Sequence, residues 1–263
     1  MPQTQLSRAR PKGDGASSLV RAVQILDALA DGPERGRSAS ELAAATGINR
    51  VTVHRILGIL KAHRLVRQSR PREPYRLGFR LVELAQRVLT ELELVRAATP
   101  VLAELSHRSG ETCHLAVLDG HEAVYVAKVE PSHTVRLVSR VGNRVSLHST
   151  ALGKALLAAM EPDETEALLS RLTLEPRTPR TIRSIAALRR EIEATRCRGF
   201  AIDCEENEDG VLCVAAAVSS PAGSPLAAVS ISGPESRIPE KRFEELGALV
   251  VGAAEELAAA FRT

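Results

Sequence analysis

The sequence has no tryptophan, two tyrosines and four phenylalanines among 263 residues, so Leu, Val, Ile and Ala must build whatever core it forms. Cysteine is nearly as scarce. Cys113, Cys197, Cys204 and Cys213 include no CxxC pair and show no even spacing, and no charged start runs into an apolar stretch at the N-terminus; the expectation is a reduced, cytoplasmic protein. No apolar run approaches the roughly 18 residues of a membrane-crossing helix. A hydrophobic content of 44% excludes a mainly disordered chain, and the length suits one large domain or two modest ones.

What is present is unevenly distributed. The net charge of +3 combines fifteen Lys/Arg against six Asp/Glu in residues 1–80, a balance of +9, with −6 over the rest of the chain. A small basic domain followed by a larger acidic one points to a polyanionic partner for the first alone.

The opening "MPQTQLSRARPKGDGASS" is polar and without period, which predicts an unstructured arm over residues 1–17. A helix follows, capped by Ser17 or Ser18, with Leu19, Ala22, Val23, Leu26 and Leu29 as its buried stripe and "DGPERGR" as its end. Ser38 and Glu41 stand at capping-box spacing ahead of Leu42, Ala43 and Ala45, giving a second helix that closes near Thr46–Gly47. Asn49 caps a third, whose Val53, Ile56, Leu57 and Leu60 fall at i, i+3, i+4 and i+7. Its opposite face carries Val51, Thr52, Arg55, Gly58, Ile59 and Ala62 rather than the Glu/Lys mixture of a solvated surface.

Three short helices, the last two joined by a Gly-containing turn, predict a helix-turn-helix whose third helix offers that second face to the major groove. Arg55 is placed for guanine or phosphate, Val51 and the Thr52 methyl for a thymine methyl, and His54 belongs to the same candidate surface. Asn49, Arg50 and the free N–H groups of the first turn lie where phosphates bind. In "LVRQSRPREPYRLGFR", two short strands, Leu65–Gln68 and Tyr75–Leu77, flank a Pro- and Arg-rich tip. This is a wing, with Arg67, Arg70 and Arg72 as candidate phosphate contacts.

At this point the sequence resembles the IclR family of bacterial transcription regulators. "SLVRAVQILDALA", "SASELAAATGINRVTVHRILGILKAHRLV" and "YRLG" carry the likeness over residues 18–80. One departure is local: the family usually has Gly where Arg64 stands, so a left-handed helix end there is strained or replaced. Residues 81–97 read as a linker helix with Leu81, Ala85, Val88 and Leu92 at helical spacing; the resemblance implies that it joins two domains and helps the chain dimerise.

A second domain, residues 98–263, is expected to open at Thr99–Pro100 with Pro at the first helical position and to close that helix after Ser109, at Gly110. "TCHLAVLDGHEAVYVAKV" is a hairpin about Asp119–Gly120, and "VRLVSRV", "VLCVAAAV" and "PLAAVSISG" read as further strands. "LHSTALGKALLAAM", "RSIAALRREIEATRCRGF" and "KRFEELGALVVGAAEELAAAFR" read as helices. The class is α+β, and the resemblance makes this domain GAF-like.

Catalytic signatures are missing. Gly153–Lys154 is not a P-loop, which needs Gly at His148 and Ser or Thr at Ala155. His107, His114, His121, His133 and His148 show no metal-binding pairing, and no nucleophile elbow or paired-carboxylate signature occurs. No cofactor and no metal is expected. "LHSTALGKALLA", "GFAIDCEENEDGVLCVAAAV" and "AAVSISGP" match the family's effector-domain signatures, which implies a pocket for a small organic acid formed by Ala151, Leu152, Asp203, Cys213, Ser230 and Ser232. Cys204, where an acidic or polar residue is usual, and Ala217, where proline is common, depart from the pattern. The two serines alternate on "VSIS" and so share one side of a strand, while Asp203 opposes a second negative charge and favours hydroxy or keto acids over dicarboxylates.

The resemblance therefore implies a homodimeric or homotetrameric, double-stranded-DNA-binding regulator, repressor or activator, whose operator binding responds to an organic-acid effector. The competing reading is a metabolite-binding protein or enzyme whose N-terminal helices mediate association only. The basic recognition helix with its wing speaks against it.

Overall fold

The structure, a computed structural model, describes residues 14–91, 93–131, 139–220 and 223–261. The chain divides into two compact units between Glu91 and Leu92. Among the described residues no helix is long and apolar enough to cross a membrane.

The first unit runs α1 (Asp14–Ala30), α2 (Ala39–Thr46), α3 (Arg50–Ala62), β1 (Val66–Arg67), β2 (Arg76–Leu77) and α4 (Arg80–Glu91). Residues 14–17, expected in the arm, are helical, and Ser17 and Ser18 lie inside α1 rather than capping it. No Pro or β-branched residue interrupts "DGASS". The remainder of the expected arm, residues 1–13, lies outside the described residues. Along α1, Ile25 and Leu29 are buried, whereas Leu19 and Val23, expected in the stripe, are 70% and 37% exposed. The apolar band of α1 is wider than the core it meets.

Helix ends follow the local chemistry. Ser38 Oγ accepts from Glu41 N at 3.2 Å while Glu41 Oε2 accepts from Ser38 N at 2.7 Å, completing the capping box. Gly47 ends α2 at φ 69°. Asn49 Oδ1 accepts from Val51 N at 2.8 Å, and Val53, Ile56, Leu57 and Leu60 are all buried against Ile25, Leu42 and Ile48. β1 and β2 pair antiparallel through Val66↔Leu77 and Arg67↔Arg76, and Arg37 extends this ribbon by exchanging two backbone hydrogen bonds with Tyr75, at 3.0 and 2.7 Å.

Arg64, just past α3, has φ 60°. The turn that usually employs glycine is thus made with an arginine, in a region that costs an L-residue about 1 kcal/mol. Its carbonyl lies where a Cβ on Gly78 would be, so the turn and the wing are packed backbone to backbone. Arg64→Gly is expected to raise unfolding stability by at most about 0.5 kcal/mol, part of the relieved strain being offset by the freer unfolded chain. Urea midpoints at constant slope measure it.

The second unit contains α5 (Glu93–Ser109), β3 (Thr112–Asp119), β4 (Glu122–Val129), β5 (Arg144–Ser146), α6 (Ala151–Ala159), α7 (Pro162–Leu169), α8 (Ile185–Arg198), β6 (Ala201–Cys204), β7 (Val211–Ser219), β8 (Pro225–Pro234), a 3-10 turn at Glu240–Arg242 and α9 (Phe243–Ala259). Its strands form one antiparallel sheet in the order β5-β4-β3-β8-β7-β6. α6 and α8 pack on one face and α5 and α9 on the other. Beneath α6 the sheet presents Ala116, Ala201, Ala215 and Ala228, all fully buried, and these small side chains let the helix approach closely.

Two expectations need correction. Pro100 is not the first residue of a helix but lies within α5, which begins at Glu93, so residues 93–97, expected in the linker helix, belong to α5. A proline removes one helical hydrogen bond, and the helix accommodates it, Thr99 Oγ1 donating to the Val95 carbonyl at 2.9 Å beside it. Of the strand expected at "VRLVSRV", residues 135–138 lie outside the described residues and 139–141 are not in a strand. β5, β6 and α7 are additions.

Candidate functional site

In the first unit, capping by Asn49 and burial of the apolar stripe fix how α3 turns about its axis. Val51 and Ile59 are left 77% and 52% exposed on the outer face. His54, Arg55, Gly58 and Ala62 are exposed beside them, as are Asn49 and Arg50 at the helix start, while Thr52 is half-buried. Because Asn49 Oδ1 is committed to Val51 N, only its amide nitrogen remains to meet a phosphate. Arg67, expected to be a phosphate contact, is turned onto its own chain: Nε donates to the Leu77 carbonyl at 3.2 Å and the guanidinium lies 4.9 Å over the Phe79 ring. Arg70 and Arg72 are exposed on the wing tip, Arg72 with φ 72°.

Gly58 has no intrachain reason to be glycine. A Cβ there would meet nothing within 4 Å, and a mid-helix glycine costs about 1 kcal/mol relative to alanine. The bare backbone there faces open space on the exposed side of α3. Gly58→Ala is expected to raise stability by about 0.5–1 kcal/mol while weakening DNA binding, two opposite shifts that chemical denaturation and a mobility-shift titration read separately.

In the second unit, strand register assembles one polar row. Asp203 pairs with Cys213, Cys213 with Ser232 and Ser232 with Thr112, crossing β6, β7, β8 and β3; one step along, Ala215 pairs with Ser230 and Ser230 with His114. Above this row stands the N-terminus of α6. Thr150 Oγ1 caps it by accepting from Gly153 N at 3.1 Å, and Gly153 packs so tightly on Leu147 that a Cβ would overlap its backbone. The N–H groups of Ala151 and Leu152, in the first helical turn, have no acceptor within the helix.

Between helix and sheet is a pocket with about 510 Å³ of empty space, its solvent mouth included. Ala151, Leu152, Asp203, Cys213, Ser230 and Ser232, the six residues expected from the sequence, all line it. His114, Tyr125, Ser139, Thr150, Asn207, Glu208 and Val211, not foreseen, complete the wall. Only the β3–β8 pairing would have found His114.

Burial dominates the electrostatics. It pushes the Asp203 carboxyl up to about 7, against the opposing pull of the Lys154 ammonium and of hydrogen bonds donated by Glu206 N at 2.7 Å and Asn207 N at 3.4 Å. It raises the Cys213 thiol and the Tyr125 phenol. Burial, helped by the Lys128 charge, lowers His114 to about 3, so its imidazole is neutral. Lys154, the lysine of the P-loop lookalike, is completely buried, its Nζ 2.5 Å from Glu206 Oε1 and 4.0 Å from Glu191 Oε1. It anchors the 205–210 loop to α6. Thr178 and Thr181 fasten the same loop through the Glu205 and Glu206 carbonyls, at 2.6 and 2.7 Å. His148 is structural, bonded to Ser146 Oγ at 2.7 Å and the Glu175 carbonyl at 3.1 Å. Among the described residues no group of His, Cys, Asp and Glu is placed to hold a metal ion.

Comparison with known proteins gives concordant matches. The bacterial transcriptional regulator IclR C-terminal model matches residues 86–259 and the IclR helix-turn-helix domain model residues 18–70. The HTH-type transcriptional regulator KdgR of Escherichia coli is 37% identical over 246 residues, 94% of this chain and 93% of the relative. The crystal structure of Thermotoga maritima IclR superposes with a TM-score of 0.80 at 34% identity, covering 94% of this chain and 99% of that one. An IclR homologue from Microbacterium hydrocarbonoxydans, solved in complex with 4-hydroxybenzoate, gives 0.79 at 25% identity over 93% and 99% of the two chains.

Proposed function

Because the chain belongs to the IclR family of bacterial transcription regulators, and is thus a DNA-binding regulator, we propose that it is a homo-oligomer whose operator affinity is set by a small organic acid bound between α6 and the sheet. The observation that supports this most is the convergence of the six expected residues on one pocket beside a helix N-terminus. Free N–H groups and the positive end of the helix dipole favour a carboxylate there, and Ser230 and Ser232, on the same side of β8, add hydroxyls. Asn49, Arg50, Val51, Thr52, His54 and Arg55 face the DNA, with Arg70 and Arg72 on the backbone; Arg67 supports the wing from behind.

The mechanism is linkage. The acid shifts operator binding only by as much as its affinity differs between DNA-competent and DNA-incompetent arrangements of two readers. Two readers are needed because one recognition helix and wing cover too little DNA for operator affinity. Leu19, Val23, Phe79, Val82 and Val88 of the first unit leave apolar surface exposed that a second copy can cover. Light scattering on the full chain at micromolar concentration is expected to give a dimer or larger species, and a monomer overturns the arrangement. Calorimetric titration with a panel of small organic acids, repeated on Ser230→Ala/Ser232→Ala, tests the pocket: the double variant no longer binds the acid that the parent binds. Equal affinity in both places the effector elsewhere.

A further inference from the structure

Buried polar groups almost always find partners, and two that do not are neighbours in this pocket. Among the described residues His114 Nδ1 and Ser230 Oγ are fully buried without a hydrogen bond. The two residues are register partners on β3 and β8, each is 1% exposed, and both line the cavity. Their geometry is held rather than slack. The His114 ring stacks on Tyr125 with centroids 4.5 Å apart and planes 27° from parallel, and its Nε2 lies 2.8 Å from Ser139 Oγ. Ser139 is in turn fixed by its carbonyl, which accepts from Lys128 Nζ at 2.7 Å. The ring is thus pinned at one nitrogen and one face, and Nδ1 and Ser230 Oγ, both without a partner, belong to register neighbours that line the same cavity.

Resting on the reading of this pocket as the effector site, we propose that His114 and Ser230 form its second polar end, which receives a hydroxyl of the effector, so that the ligand is a hydroxy acid with its carboxylate at the α6 N-terminus. The chemistry of the two ends differs. The helix end offers donors only, suited to an anion. The His114 end pairs a neutral imidazole, which in either tautomer has one nitrogen to give or accept with, and a serine hydroxyl that can do both. A ligand hydroxyl donates once and accepts once, satisfying both orphans together. A second carboxylate accepts only, and it would be desolvated in a cavity that already holds Asp203 and Glu208. An aliphatic or aryl hydrogen at that position leaves both atoms unpaired. His114 and Ser230 are therefore specificity determinants for the hydroxylated acid over its deoxy analogue.

The experiment uses matched pairs on the full-length protein: lactate and propionate, 3-hydroxybutyrate and butyrate, 4-hydroxybenzoate and benzoate, titrated by calorimetry. In at least one pair the hydroxylated acid is expected to bind about 10- to 100-fold tighter, the range for one to two buried hydrogen bonds whose partners are otherwise unsatisfied. His114→Phe keeps a ring against Tyr125 but removes Nδ1, and Ser230→Ala removes the other orphan. His114→Phe is expected to bring the ratio within about threefold while the deoxy acid binds as it does to the parent; Ser230→Ala, which also takes a hydroxyl from the carboxylate, is expected to narrow the ratio likewise while weakening both acids. Thermal melts of both variants establish that they are folded, and Ser230→Ala carries the test should the aromatic replacement unfold the domain. Deoxy acids that bind the parent as tightly as their hydroxylated partners overturn the inference, as does a ratio that survives both substitutions. Failure of every acid to bind the parent overturns the organic-acid reading and this one with it, a result distinct from binding without discrimination.

Discussion

Arg237→Ala is expected to destabilise the second unit by about 3 kcal/mol, because it breaks a largely buried ion pair. Glu111, at the corner between α5 and β3, has a side chain only 2% exposed, and Arg237 Nε and Nη2 reach its two carboxylate oxygens at 2.6 and 2.7 Å. A Cβ on Gly233 would collide with that carboxylate, so β8 has been cleared to let the pair form. Arg242 Nη1 donates to the Arg237 carbonyl at 2.9 Å, tying the turn after β8 into the same corner. Removing the arginine leaves a buried carboxylate without its bidentate partner, which is where the cost arises. The arginine is itself 30% exposed, so water can partly replace it, which sets the value at the low end of the roughly 3–5 kcal/mol usual for a broken buried pair. Glu111→Gln/Arg237→Ala is expected to recover more than half of the loss, since no charge then remains to be desolvated. Urea unfolding of the four species of this double-mutant cycle reads both numbers.

How much of this was legible in the sequence depended on how local each determinant is. The helix-turn-helix is written in caps and stripes a few residues apart: Ser38 with Glu41, Asn49 with Val51, and Val53 to Leu60, each of which behaves in the structure as its spacing requires. The strained Arg64 turn was legible through the resemblance, in which glycine is usual at that position. Where the reading failed, more than one outcome was compatible with the local chemistry. "DGASS" suits a helix start as well as an arm, and Pro100 suits a helix interior once Glu93 has started the helix upstream. Periodicity identified Leu19 and Val23 as apolar positions of α1 but not what covers them, because a stripe for the chain's own core and one for another molecule have the same period.

The pocket divides along the same line. Its six foreseen residues lie in three segments whose motifs could be recognised separately. His114 enters through pairing with Ser230, more than a hundred residues away in the chain, and nothing in "TCHLAVLD" distinguishes a pocket histidine from an ordinary core one. Lys154 shows the converse. Its Gly-Lys dipeptide looks like phosphate chemistry, yet Gly153 answers to the Leu147 backbone and Lys154 to Glu206.

Arg55→Ala is expected to cost about 1–3 kcal/mol on the preferred DNA sequence and to relax selectivity at one base pair of each half-site, the signature of a bidentate contact to guanine. The placement of α3 is the reason. Arg55 lies one turn beyond Val51 and one turn before Gly58 on the exposed face, and the missing side chain at Gly58 leaves room for the helix to sit deep enough for Arg55 to reach a base edge. Arg70 and Arg72 are placed differently, exposed on a loop tip beyond two-residue strands, and are expected to meet phosphates rather than bases. Replacing either by alanine is expected to weaken binding to every sequence alike and to reduce the slope of log K against log salt by about one for each phosphate that is no longer neutralised. The two classes of effect separate when parent and variants are titrated at several salt concentrations, on a duplex selected from a random pool and on unselected DNA. A uniform loss for Arg55→Ala with a shallower salt slope moves that side chain to the backbone. Val51, Ile59 and the Thr52 methyl then remain as the groups able to distinguish one base pair from another, through thymine methyls rather than guanine.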